Sequence, residues 1–239
     1  MIPWRRIASS PAPGGEELSL WQRGRELAIR AGRHVLMSSR THGSEEALAE
    51  RACAALSGRA RARVLVGGLG MGFTLAAALR RLGPRAEVTL AEVSPAVVAW
   101  GRGPLGPLAG HPLRDPRVRV EIADVAEVLR PARARFDAVM LDVDNGPEAL
   151  ARPGNARLYA AEGLARVHAA LRGGGVLAVW SAGPDVRFTR RLRAAGFEVE
   201  VATVPARARG GARARSAARA RGAGPAGGGA HVIWCARRR

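Results

Sequence analysis

RVLVGGLGMGFTLAAALRRLGPRAEVTLAE, residues 63–92, is the stretch that predicts the fold. It starts with an apolar run typical of a buried strand, continues through a turn with Gly68, Gly70 and Gly72, and then becomes helical. A second strand follows and ends on Glu92. A strand, glycine turn and helix place backbone N–H groups beside a ligand, and an acid after the next strand can bind ribose hydroxyls. The stretch therefore predicts a nucleoside-binding corner.

The glycine spacing in this turn is G-x-G-x-G, whereas dinucleotide-binding proteins use G-x-G-x-x-G. Phe73 stands where the third glycine of that pattern would fall. Any tight connection from strand to helix favours residues that tolerate a positive φ, so a glycine turn alone does not identify a ligand. The prediction of a nucleoside site therefore depends also on Glu92, 20 residues beyond Gly72.

Strands and helices continue to alternate after Glu92, which predicts an α/β fold with a Rossmann-like, mostly parallel sheet of seven strands and helices on both faces. No helix separates the last two strands, so the final strand is predicted to be antiparallel. The seven predicted strands are residues 64–67, 87–92, 118–122, 136–141, 176–180, 198–204 and 231–236.

The chain divides into unequal parts. Residues 1–15 contain Pro, Gly and Ser and are predicted to be a disordered N-terminus. Residues 16–58 read as a small β-hairpin unit followed by a helix, in which Ser44 is the expected N-cap. Residues 59–239 form the predicted Rossmann-like domain, which carries a basic, low-complexity insertion at 206–229.

The net charge of +18 comes entirely from arginine, because the chain contains no lysine. The 39 residues from Val201 onward hold nine arginines and no acids, which is half of that charge. Arginine is abundant together with Ala, Gly and Pro, which indicates a biased composition more than a phosphate-binding surface. We therefore do not expect nucleic acid as a partner, and the insertion is the segment through which such binding would occur.

Other sequence features limit the location of the protein. No apolar run approaches the ~18 residues that a membrane-spanning helix needs, and the first 15 residues lack the apolar region of a signal peptide. Cys53 and Cys235 are too few for a disulfide framework and lack metal-ligand spacing. These features predict a cytoplasmic protein with no membrane partner and no metal.

Acidic residues follow the later strands at the edge where ligands of open α/β sheets bind. Asp124 ends one strand, and Asp142 and Asp144 end the next. A single acid in such a place is commonly a turn former or a helix cap. Four consecutive strand ends with glycines or acids instead outline one crevice for an adenosine, with Glu92 at the ribose, Asp124 at the adenine edge, and Asp142 and Asp144 over the reacting atoms.

The order of these strand ends resembles that of the spermidine synthase family of polyamine aminopropyltransferases and, more broadly, the class I S-adenosylmethionine-dependent methyltransferase fold. The resemblance covers about residues 18–236 and includes SRTHGSEEALAE, which resembles the family's substrate gate and contains His42. Its most specific segments are VLVGGLGMG, AEVSPAVVAWGR, DPRVRVEIADVAEVL, FDAVMLDVDNGP and ALRGGGVLAVW.

The resemblance implies a transferase that uses S-adenosylmethionine or its decarboxylated form as co-substrate, without a metal, on a small-molecule polyamine. In the family, a carboxylate takes a proton from the amine that attacks the sulfonium-linked carbon of the decarboxylated donor. The resemblance assigns that role to Asp142, with Asp144 as a neighbouring acid, and it implies a homodimer. The implied donor-binding residues are Gly68, Gly70, Gly72, Glu92, Asp124 and Val125.

Several residues depart from the family pattern. The turn reads GGLGMG where the family has GGGDGG, so Gly70 stands in place of an Asp and Met71 in place of a glycine. The acidic loop reads DVDNGP rather than DSSDP, and Trp180 replaces a Gln. Two alternatives therefore stay open beside aminopropyl transfer: a methyltransferase that acts on a small molecule, and a non-catalytic adenosine-binding module.

Overall fold

A computed structural model describes residues 2–11, 16–143, 156–205 and 230–239 of the chain. Asp144 and the basic insertion at 206–229 lie outside these ranges. No helix within them is long and apolar enough to cross a bilayer. The helices are α1 (Gly43–Ala54), α2 (Phe73–Arg81), α3 (Pro95–Arg102), α4 (Val125–Leu129), α5 (Ala156–Tyr159), α6 (Ala161–Ala170) and α7 (Val186–Ala194).

The N-terminal part is a four-stranded antiparallel sheet in the order β1-β2-β3-β4. Its strands are β1 (Arg5–Pro11), β2 (Glu17–Arg23), β3 (Glu26–Ala31) and β4 (His34–Ser38). The predicted hairpin is therefore half of a larger unit, and the prediction of disorder was wrong for residues 5–11. The sequence of β1 has no apolar alternation, and the strand forms because its backbone pairs with β2.

The second sheet confirms the predicted architecture. It has seven strands in the order β10-β11-β9-β8-β5-β6-β7. Strand β11 runs antiparallel to the other six strands, which are parallel to one another. Helices follow most of the strands, as a mostly parallel sheet requires. The strands are β5 (Arg63–Gly67), β6 (Glu87–Glu92), β7 (Val118–Ile122), β8 (Phe136–Leu141), β9 (Leu171–Ser181), β10 (Phe197–Pro205) and β11 (Ala230–Arg238).

Two details of the elements differ from the prediction. Ser44 lies inside α1, and His42 occupies the N-cap position that the sequence assigned to Ser44. The predicted helix at 155–171 is two helices, α5 and α6, that are separated at Ala160, and β9 begins before the glycines that were expected to precede it. Both differences reflect tertiary contacts that local propensity does not encode.

Successive residues of the central strands face opposite sides of the sheet, which gives the protein two hydrophobic cores. In β5, Val64 and Val66 pack into one core, whereas Leu65 packs into the other. Helices α1 and α2 pack against each other over the first core, and α4 and α6 cover the second. Helix α1 also contacts β8 and β11, and Ser44 near the start of α1 lies 2.8 Å from His231 near the start of β11.

The parallel register places four strand ends at one edge of the sheet. Gly67 at the end of β5 pairs with Ala91 of β6 and with Leu141 of β8, and Glu92 pairs with Ile122 at the end of β7. The chain order reverses between β5 and β8. Strands β6 and β7 lie on one side of β5, whereas β8 and β9 lie on its other side. Ligands of open α/β sheets bind at such a reversal point.

Gly68 allows the glycine turn to contact the end of β8. Its φ is +89°, and a Cβ at this position would lie 2.3 Å from the carbonyl oxygen of Asp142. Both facts exclude a larger residue, because the left-handed backbone is strained for other amino acids and the obstacle is backbone rather than a flexible side chain. The lack of a side chain at Gly68 therefore allows the turn to pack directly against the backbone of Asp142.

We predict that Gly68→Ala lowers the free energy of unfolding by at least about 2 kcal/mol, since left-handed backbone alone costs a non-glycine residue ~1–2 kcal/mol and the added methyl group also forces β8 away. Urea unfolding of the variant measures this loss. Gly173→Ala is the matched control, because a Cβ at Gly173 meets nothing within 4 Å. Equal stability of the two variants would contradict the proposed close contact.

Candidate active site

The glycine turn connects β5 to α2 at the centre of the candidate site. Gly68, Gly70 and Gly72 all have positive φ, at +89°, +50° and +86°. Gly72 is the N-cap of α2 and its amide donates to the carbonyl of Leu69, which closes the turn. The conformation that the glycine spacing predicts is therefore present, although whether these residues bind a donor stays a prediction.

Glu92 is buried at the end of β6, next to this turn. Its Oε2 accepts a hydrogen bond from the backbone N–H of Leu69 at 2.9 Å, and its Oε1 accepts one from Ser94 N–H at 2.8 Å. These contacts fix the orientation of the carboxylate beside the turn. A carboxylate can accept about four hydrogen bonds in all, so this geometry fits the predicted role at a ribose.

Asp124 and Val125 lie at the end of β7, one strand further along the edge. The exposed Asp124 caps α4, because its Oδ1 accepts from Ala126 N–H at 2.8 Å. Val125 is buried, and its Cγ2 would lie 2.9 Å from a Cβ added to Gly67. The fold thus brings Val125 against β5, while Asp124 also serves as the helix cap that a single acid would be expected to form.

Asp142 lies at the end of β8 and is partly buried. The Thr74 hydroxyl, in the first turn of α2, donates to Asp142 Oδ2 at 2.5 Å. Burial raises the pKa of Asp142 to about 6, and the Thr74 hydrogen bond opposes that rise. The carboxyl therefore titrates just below neutral pH, which suits a group that accepts a proton from a ligand.

Glu45, in the first turn of α1, belongs to the same place, and the sequence interpretation missed it. Glu45 is only 7% exposed to solvent. Burial first, and then the charge of Asp142, raise the pKa of Glu45 to about 7, although a hydrogen bond from Ser44 opposes the rise. In the sequence Glu45 looks like an ordinary first-turn acid. Its position inside the segment that resembles a substrate gate was the available signal.

Gly70 shows how the chain differs locally from the family pattern. A Cβ at Gly70 would lie 2.4 Å from Sδ of Met37, which reaches over the turn from β4. An apolar thioether thus occupies the space next to the position where the family pattern has an Asp. The N-terminal sheet therefore forms one wall of the site.

Two aromatic contacts border the same region. The His42 ring stacks on Phe73 with centroids 4.2 Å apart, so this gate residue lies against the start of α2. Trp180, at the end of β9, packs edge to face against His231 at 4.7 Å. Across the described ranges, no three His, Cys, Asp or Glu side chains come together in a way that could hold a metal ion.

Comparison with known proteins identifies sequence relatives over part of the chain. A scan of protein families found no match. The polyamine aminopropyltransferase 1 of Streptomyces coelicolor is 40% identical over 110 residues, which are 45% of this chain and 20% of the relative. The polyamine aminopropyltransferase of Korarchaeum cryptofilum is 31% identical over 135 residues, 55% of this chain and 40% of the relative. The chain thus matches between 20% and 40% of the length of these relatives.

Solved structures match nearly the whole chain. The spermidine synthase of Thermotoga maritima covers 98% of this chain and 73% of its own, with a TM-score of 0.73 and 19% identity. A spermidine synthase in complex with the transition state analogue AdoDATO has the same coverage, with a TM-score of 0.72 and 18% identity. The resemblance inferred from the strand ends is confirmed at the level of architecture: the chain has the fold of the spermidine synthase family.

Proposed function

We propose that this chain transfers an aminopropyl group from decarboxylated S-adenosylmethionine to an amine of a polyamine. The observation that carries the proposal is the position of the partly buried Asp142 in a spermidine synthase fold: its backbone packs against the glycine turn, and its carboxyl accepts a hydrogen bond from Thr74 at the start of α2. The names of the sequence relatives support aminopropyl transfer over the methyl transfer that the sequence left open.

The residues along the sheet edge fit the parts of an adenosyl donor. Carboxylates only accept hydrogen bonds, and ribose hydroxyls donate them, so Glu92 suits the ribose. Asp124 and Val125 would contact the adenine, and the turn at Gly68, Gly70 and Gly72 would lie along the donor. When bound, the donor supplies a sulfonium-linked carbon that is open to nucleophilic attack.

Asp142 is proposed to act as the base. An alkylammonium acceptor, R–NH₃⁺, gains a nitrogen lone pair only after it loses one proton, and the ionised Asp142 carboxylate takes that proton. The nitrogen then forms a bond to the sulfonium-linked carbon as the carbon–sulfur bond breaks. The electron pair of that bond stays on sulfur, methylthioadenosine leaves, and the new secondary amine carries the positive charge.

The electrostatics of the site favour a decarboxylated donor. Glu45 and Asp142 form no ion pair with any of the described residues. A donor that keeps its carboxylate would bring a further negative charge toward these two acids, and like charges repel strongly in a buried site. A homodimer, a cytoplasmic location and a role for Asp144 stay predictions from the sequence.

We predict that Asp142→Asn lowers kcat for methylthioadenosine release, with decarboxylated S-adenosylmethionine and putrescine, by about 10²–10⁴-fold, the usual contribution of a general base. Glu162→Gln is the control, since Glu162 is 78% exposed and pairs with Arg166 on the surface of α6. It should leave the rate unchanged.

Three other outcomes are informative. Absence of methylthioadenosine release by the wild-type protein over a panel of diamines would refute aminopropyl transfer. Formation of S-adenosylhomocysteine from S-adenosylmethionine would support the methyltransferase alternative. An Asp142→Asn variant with full activity would show that this carboxyl is not the base.

A further inference from the structure

A hydrogen-bond chain holds the Glu45 carboxyl from behind. Ser44 is fully buried, and its hydroxyl donates to Glu45 Oε2 at 2.6 Å. Nδ1 of His231, on β11, lies 2.8 Å from the same Ser44 oxygen. When Glu45 is ionised, its carboxylate accepts the single hydroxyl proton of Ser44, and Nδ1 of His231 is then the donor to the Ser44 oxygen. Residues 187 positions apart thus fix one carboxyl.

His231 is mainly uncharged at pH 7 and so adds little positive charge beside Glu45. Its ring is partly buried and packs edge to face against Trp180. Burial lowers the pKa of His231 below its ordinary value of 6.5, so the ring is mainly neutral at pH 7. The chain from His231 through Ser44 therefore orients Glu45 without neutralising it.

Among the described residues, no arginine forms an ion pair with Glu45. Glu46, on the same turn of α1, pairs with Arg80 of α2 at 3.3 Å and lies 3.6 Å from Nδ1 of His42. The Arg80 guanidinium is thus paired with Glu46. The groups that face Glu45 include Glu46 and His42 on or next to α1, Arg80 on α2, Asp142 after β8 and His231 on β11. Further along α1, Arg81 of α2 pairs with Glu50, and Glu200 of β10 pairs with Arg51.

The other buried acids have clear partners. Asp137 pairs with the guanidiniums of Arg59 and Arg172. Asp185 pairs with Arg191 at 3.2 Å, and Glu92 accepts two backbone N–H groups. Buried carboxylates are normally compensated in this way, since desolvation of an unpaired charge is costly. Within the described part of the chain, Glu45 and Asp142 form no ion pair: Asp142 accepts from the Thr74 hydroxyl, and Glu45 accepts from the Ser44 hydroxyl and from its own backbone N–H.

We propose that Glu45 is a specificity-determining residue of the acceptor site, where it forms with Asp142 a pair of carboxyls that together bind one alkylammonium group, and that Ser44 and His231 position it. The inference deepens the proposed function and rests on it. The ammonium supplies the cation that the two carboxyls do not find among the described residues, so the pair selects a charged amine over a neutral or anionic acceptor.

The pair also sets the proton balance of binding. With a pKa of about 7, Glu45 is roughly half protonated at pH 7 before the amine binds. An ammonium group favours the ionised form of both carboxyls, so Glu45 releases its proton to solvent on binding. Asp142 then takes the proton that the ammonium loses, and ionised Glu45 remains beside the positively charged product nitrogen.

Titration calorimetry of the full chain with putrescine at pH 7, in PIPES and in ACES buffers of different ionisation enthalpy, counts the protons released. We expect about half a proton per putrescine from the wild-type protein, from the pKa of Glu45. Glu45→Gln should abolish the release and weaken binding about tenfold or more, as loss of a hydrogen bond to a charged group does. Glu50→Gln, on the exposed side of α1 with Arg81, is the matched control and should behave as wild type.

A second variant keeps the inference testable if Glu45→Gln does not fold. Ser44→Ala removes the hydrogen bond that lowers the pKa of Glu45, so more of Glu45 is protonated at pH 7 and more than half a proton should be released. Unchanged proton release in either variant, or no binding of putrescine to the wild-type protein, would overturn the inference. Proton-coupled binding without any methylthioadenosine formation would refute the proposed function and leave the carboxyl pair standing.

Discussion

The contact between the glycine turn and the end of β8 is the constraint on which the rest of the site depends. Asp142 N–H donates to the carbonyl of Gly67 at 3.0 Å, and Gly68 N–H donates to Ala91 at 2.9 Å, so the turn is tied to a strand on each side. The missing Cβ of Gly68 allows this spacing. Asp142 is thereby held within reach of Thr74, at the start of the helix that the same turn begins.

The distribution of charge has a functional consequence. A chain with a net charge of +18 repels cationic polyamines at long range. Among the described residues, the buried acids Asp137 and Asp185 outside the site nevertheless pair with arginine, whereas Glu45 and Asp142 form no ion pair. We therefore expect the carboxyl pair of Glu45 and Asp142 to be the principal cation-binding site among the described residues. Attraction between an ammonium group and two nearby carboxyls acts at short range. It is stronger in a buried site than in water, because the effective dielectric constant is lower there.

The sequence predicted those parts of the protein that depend on local pattern. Apolar runs that alternate with helical segments gave the seven strands, and the acids after β6, β7 and β8 indicated the edge where a ligand would bind. The roles of Glu45 and His231 could not be predicted, because they meet through Ser44 only after β11 has inserted into the sheet. Strand β1 and the position of Met37 over Gly70 likewise depend on pairing and packing between distant segments.

The most direct test of the account is titration calorimetry of the wild-type protein with decarboxylated S-adenosylmethionine and with S-adenosylmethionine under the same conditions. The two donors differ in the carboxylate that would face Glu45 and Asp142. We predict that the decarboxylated donor binds more tightly by about tenfold or more, equivalent to roughly 1.4 kcal/mol. Equal or tighter binding of S-adenosylmethionine, or binding of neither donor, would contradict the account.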